Sequence, residues 1–152
     1  MRRRARGRVG CPVRCRGSGF PVLRLDVRRV LDGVPWLPVR AEFRFDAGSP
    51  MVVSVTLTPW HGTGVTWRIG RDLLYQGLYV ESGEGDVQAW PMQSEEGDTA
   101  WLLLESGNNS AVFELPAPLL GSWLEATYER VSAEEEMADL DWDAFLDGLL
   151  GH

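Results

Sequence analysis

The chain has no lysine; all 15 of its basic side chains are arginine. It has only two histidines and two cysteines among 152 residues. No apolar run approaches the roughly 20 residues needed to cross a bilayer. The N-terminus is basic, but no apolar stretch of the kind a secretory signal needs follows it. These absences point to a soluble protein of the cytoplasm with no transmembrane segment. Cys11 and Cys15 lie four apart in CPVRC. That spacing is neither a CxxC redox pair nor part of a Cys/His zinc set, because His61 and His152 stand alone. They read as incidental thiols. There is no GxSxG elbow and no GxGxxG loop between a strand and a helix.

What the chain does have is unevenly spread. Seven of its arginines fall in the first sixteen residues. From Gly17 onward, eight arginines face all 22 acids, a formal charge of −14. A surface of that sign repels nucleic acid and anionic membrane. The Arg-rich head, residues 1–19, has almost nothing to bury and reads as disordered. It is either a binding arm or translated sequence upstream of the true start.

From Phe20 the pattern is that of strands. FPVLRLDVRRVL alternates apolar and polar residues, and Asp32-Gly33 signals a turn. WLPVRAEFRFD alternates again, with Val39, Ala41, Phe43 and Phe45 on one face. MVVSVTLTP and VTWRI follow around the HGTG connection. The period then changes: RDLLYQGL sets Leu73, Leu74 and Leu78 on one stripe of a short helix, with Asp72 in its first turn. Beyond SGEGD come DVQAWPM, TAWLLLES and AVFELP, three strands separated by turn chemistry. Pro116 and Pro118 open a helix from Ala117 to about Val131, with Leu119, Leu120, Trp123, Leu124, Thr127 and Tyr128 at helical spacing. The order ββββα-βββα predicts an α+β domain of two antiparallel sheets over residues 20–131. Residues 132–152 read as an acidic linker and a tail helix whose stripe is Trp142, Phe145, Leu146, Leu149 and Leu150, covered either by a partner or by folding back on its own domain or a trimer neighbour.

Candidate chemistry is sparse. GEGD, from Gly83 to Asp86, has the wrong order for a dinucleotide loop, and its carboxylates would oppose a phosphate. It reads as a glycine turn tied down by Asp86. The acids Glu84, Asp86, Glu95, Glu96 and Asp98 fall in two turns rather than one calcium loop. No catalytic residue, cofactor or metal is therefore expected. Of seven tryptophans, Trp67, Trp90 and Trp101 lie in strands and should pack in the core. Trp60 and Trp142 border a turn and the tail, so they are the better interface candidates.

Three segments occur together in an order that resembles the sporulation and cell division family of filamentous actinobacteria, the SsgA-like proteins. The first is carried by Trp67, Ile69, Arg71, Asp72, Leu73, Leu74, Gly77 and Leu78. The second is carried by Gly83, Gly85, Asp86, Val87, Trp90 and Pro91, and the third by Leu120, Trp123, Leu124, Thr127 and Tyr128. The likeness covers about Val22 to Val131. It implies a non-catalytic regulator of septum placement and peptidoglycan remodelling, found at division septa. It also implies a whirly-like fold, a homo-oligomer such as a trimer, and a partner in FtsZ or a related SsgA-like protein. The anchors it suggests are Trp142, Phe145, Leu146, Leu149 and Leu150 of the tail, with Trp60. The Arg-rich head has no counterpart in the family pattern, and WHGTG falls at a variable spot. The alternative reading is a single-stranded nucleic-acid-binding module on the same fold, which the acidic surface argues against.

Overall fold

The computed structural model describes residues 19–131; the Arg-rich head up to residue 18 and the whole acidic tail from residue 132 lie outside the described residues. Strands β1 (Leu23–Leu31), β2 (Val34–Phe45), β3 (Val52–Pro59) and β4 (Val65–Gly70) are followed by the helix α1 (Arg71–Gln76). Then come β5 (Ser82–Glu84), β6 (Val87–Ser94), β7 (Gly97–Ser106), β8 (Asn109–Pro116) and the helix α2 (Ala117–Arg130). The second strand group thus has four members rather than the expected three. The extra one, β5, is too short for periodicity to reveal.

Two sheets were expected, and one is found. Eight strands run in the order β4-β3-β2-β1-β8-β7-β6-β5, every pairing antiparallel. The two groups meet where β1 pairs β8, over Arg28↔Glu114, Arg29↔Phe113 and Val30↔Val112 alone. This seam joins residues more than eighty apart, and alternation along a strand carries no information about such a partner. The seam lies at the turn end of β1, beside the β1–β2 hairpin. There Asp32 and Gly33 both take positive φ, 54° and 77°, as a two-residue hairpin turn of right-handed twist requires.

The inner face follows from the period of two. Val39, Ala41, Phe43 and Phe45 are buried as expected, joined by Val53, Val55 and Leu57 of β3. Leu25 and Val27, Ile69, Ala89, Ala100, Leu102 and Leu104, and Phe113 and Leu115 complete the strand side of the core. Over it lies α2, burying Ala117, Leu120, Trp123, Leu124 and Thr127. Leu119, placed on the same stripe by spacing, instead points outward and is 59% exposed. Trp90 and Trp101 were expected in the core. They pair across β6 and β7 and are half-buried. Ala89 and Leu102, their chain neighbours, take the inward positions, so the same alternation turns both tryptophans to the outer face.

Candidate functional site

The helices cover one end of the curled sheet. Arg71, the first residue of α1, is 1% exposed, the most buried charge among the described residues. Its main-chain N–H donates to Met51 O at 2.8 Å. Its Nη1 donates to the Thr127 carbonyl of α2 at 3.0 Å. The guanidinium lies 4.0 Å from the Tyr128 ring centre and 5.2 Å from that of Phe45. Stacking between two rings is how a planar, weakly hydrated cation is held inside a protein. Burial pulls the Arg71 pKa down, while Tyr128 and Asp72 act in the opposite sense. Tyr128 donates its hydroxyl to Asp72 Oδ1. Burial first, and then this hydrogen bond, push the Tyr128 pKa well above its ordinary 10.0. Tyr75 donates to Glu125 at 3.0 Å. Its pKa is raised to about 12, by its contact with Tyr79 above all and then by burial and by Glu125.

With the phenols held protonated and Asp72 committed to one of them, this cluster pins α1 to α2. Phe20 continues it, edge-on to both Phe45 and Trp123, and Trp123 Nε1 donates to Pro21 O at 2.9 Å.

The GEGD turn serves the same end. Gly83 and Gly85 adopt φ of 92° and 72°, where side chains are strained. A Cβ on Gly83 would also meet the Val87 carbonyl and the Leu73 side chain. The turn is tied to β7 by Glu105 N–H donating to Asp86 O at 2.9 Å. The tie therefore uses the main chain of Asp86 rather than the carboxylate that its residue type suggested. Among the described residues no group of three or more His, Cys, Asp or Glu side chains is placed to hold a metal ion.

Among the described residues the opposite end is open. The inner-face residues Val39, Leu57, Val65, Trp67, Leu104 and Phe113 line an apolar mouth of about 420 Å³, bounded by strand and loop residues with no contribution from either helix. Val65 in its lining is 57% exposed, Trp60, which follows Pro59 of the lining, is 77% exposed, and Trp36 near the β1–β2 hairpin is 67% exposed. Trp60 stacks edge-on against His61 at 6.3 Å. It also lines an outer-face groove of about 660 Å³ with Pro38, Arg40 and Asp26. Pro59 borders both the groove and the mouth.

The sequence model of the Streptomyces sporulation and cell division protein SsgA matches residues 39–136. The chain belongs to the SsgA family. SsgB of Salinispora tropica, a sporulation-specific cell division protein, is 36% identical over 82% of this chain and 88% of its own length. SsgB of Streptomyces coelicolor is 34% identical over 83% of this chain and 92% of its own. The solved SsgA-like sporulation-specific cell division protein of Thermobifida fusca superposes with a TM-score of 0.73 at 25% identity, covering 87% of this chain and 96% of that one.

Within this SsgA-family chain the signature residues divide by role. Arg71, Asp72, Leu74, Trp123, Thr127 and Tyr128 meet at the helix-covered end. Leu73 is partly buried against the core. Gly77 sits where a Cβ would overlap Ala89. Gly85 and Asp86 make the β5–β6 turn, and Val87 packs on the core from its far side. Trp90 and the exposed Pro91 lie further along β6, and Trp67 lies in the mouth. Trp60 is at the open end, 77% exposed. Trp142, Phe145, Leu146, Leu149 and Leu150 lie outside the described residues. Sequence reasoning missed Trp36 and the buried state of Arg71. A tryptophan at a hairpin shoulder next to Val-Pro was the available signal for the first. Nothing local distinguishes a buried arginine from an exposed one.

Proposed function

We propose that this SsgA-family chain is a non-catalytic regulator of sporulation-specific cell division. It works through protein–protein contacts in septum placement, division-ring recruitment and peptidoglycan remodelling, in the cytoplasm at division septa. Its partner is FtsZ or a related SsgA-like protein, and it acts as a homo-oligomer, a trimer in the first instance. The observation that carries the reading is the open end, where Trp60, 77% exposed, directly follows Pro59 of the apolar mouth, and Trp36, 67% exposed, stands by the β1–β2 hairpin. Exposed apolar patches mark interaction sites, and tryptophan is enriched among the residues that carry binding. The relatives named as sporulation-specific cell division proteins supply the process. The tail stripe Trp142, Phe145, Leu146, Leu149 and Leu150 is the second anchor of this reading. A whirly-like architecture also belongs to it, supported by four strands and a helix occurring twice in chain order.

The test is affinity capture from sporulating cells of the source organism, with the full chain and its Trp36→Ala/Trp60→Ala variant as baits. The variant should lose FtsZ or the SsgA-like partner while melting at the same temperature. Equal capture by both, with unchanged septum spacing in cells carrying the variant, would refute the reading.

A further inference from the structure

The mouth at the open end lacks an occupant that its chemistry specifies. Its walls are apolar on the sheet's inner face, and Arg29 reaches its rim. The Nε of Arg29 is buried and has no hydrogen-bond partner among the described residues. A buried donor left unpaired is costly, and a carboxylate is the acceptor an arginine pairs with best. A fitting occupant brings an apolar surface and an acid together.

The chain carries such a segment. Residues 139–150 read DLDWDAFLDGLL. Trp142, Phe145, Leu146, Leu149 and Leu150 recur at helical spacing, and Asp139, Asp141, Asp143 and Asp147 are interleaved with them. Described structure ends at Val131, which packs on the core just past α2. That helix end is at the covered end, because Thr127 meets Arg71 where β4 runs into α1. β4 itself spans the interval from there to the mouth at Val65, a rise of about 20 Å for its length. The ten residues between Val131 and Trp142 reach about 33 Å when extended. The tether is therefore long enough to return the stripe to its own domain.

We propose that the segment Asp139–Leu150 docks in the mouth of its own chain, apolar stripe inward, with an aspartate on Arg29. This deepens the functional reading and rests on it for the stripe's role. The surface a division partner takes is stored on the domain, and the partner has to displace it from the mouth.

Hydrogen exchange read by mass spectrometry on the full chain tests the docking. Three variants are compared with the natural sequence: Leu146→Asp/Leu149→Asp in the tail, Val65→Arg at the exposed rim, and Arg29→Met. Docking predicts that the tail variant speeds exchange in β4 and the start of β8 at least tenfold. It predicts that Val65→Arg and Arg29→Met speed exchange of residues 142–150 by a similar factor. Exchange in α2 stays slow throughout and reports that the fold is intact. Tail exchange indifferent to both mouth variants, or mouth exchange indifferent to the tail variant, overturns the proposal. Protection that disappears on tenfold dilution also overturns it, since the mouth would then hold a neighbouring copy's tail. Partner capture with the tail variant is read separately. Unchanged capture alongside observed docking removes the tail from the partner reading and leaves the docking in place.

Discussion

The two ends of the curled sheet are built from the same inner-face alternation and finish differently. At one, α1 and α2 close over Phe45, Phe43 and Arg71, and even a guanidinium is sealed from water. At the other, Leu57, Val65, Trp67 and Phe113 end in a mouth that no described residue covers. The seam explains the asymmetry. β1 and β8 pair only over Arg28–Val30 and Val112–Glu114, at the open end. Toward the covered end no such bonds join the two strand groups; α2 packs there with Trp123 against Phe43, and a groove of about 310 Å³ remains between β1, β8 and the start of α2. Burial is completed where helices fit between the groups, and the end held together by backbone bonds is left for something else to cover.

Substitutions can break this contrast, and the largest effect belongs at the covered end. Arg71→Ala removes the stacked guanidinium and its bond to Thr127 O and leaves a cavity, so it should cost about 3–5 kcal/mol in urea unfolding. Arg71→Met keeps the stem between Phe45 and Tyr128 and loses a cation whose Nε and Nη2 have no partner among the described residues. It should cost less than half as much. An alanine variant as stable as the natural chain would show that the pin is unnecessary.

Gly77→Ala comes next. Its Cβ would press on Ala89 of β6, and overpacking of this kind costs about 1–3 kcal/mol. Melting temperature is the simplest readout, and a rise would mean that α1 moves away from the sheet without penalty.

Tyr128→Phe tests the same end through pH. The Tyr128 pKa is raised above 10.0 in the folded protein. Its contribution is therefore full below pH 10 and is lost as the pH rises through and beyond that value. The natural chain should lose stability in alkali. The phenylalanine variant should be about 1 kcal/mol less stable at neutral pH and decline more gently above pH 10. Tyr75 retains part of the slope. Identical alkaline curves would show that the Asp72 hydrogen bond carries no such linkage.

The smallest stability change belongs at the open end. Trp36→Ala/Trp60→Ala should stay within about 0.5 kcal/mol of the natural chain. A loss comparable to that of Arg71→Ala would mean that the tryptophans are structural at this end and would erase the contrast.

Much of the fold was readable from local pattern. The alternation in RAEFRF placed Phe43 and Phe45 inward, Asp32-Gly33 marked its hairpin, and Pro116 marked the start of α2. Failures came where a segment was too short to show a period, where tertiary cover decided, or where residue type was allowed to override the alternation. β5 exists only because Ser82–Glu84 lies against β6. Leu119 was assigned to the buried stripe, but the splayed sheet leaves that side of α2 uncovered. Trp90 was counted as core because tryptophan usually packs, whereas its place opposite Ala89 in the alternation already pointed outward. The candidate site was less legible than the fold. Trp60 was visible as an exposed turn residue, but the mouth next to it draws walls from β1, β2, β3, β4, β7 and β8 and no single segment announces it.

By itself the sequence determined which residues alternate, where the chain turns and which motifs mark the SsgA family. These are short-range matters, set by backbone sterics and by the periods of strand and helix. Only the tertiary structure decided that two strand groups form one sheet, that Arg71 is buried between two rings, and that among the described residues one end has no helix over it. Each depends on surfaces brought together from distant parts of the chain, where the free energy of packing rather than local preference selects the arrangement.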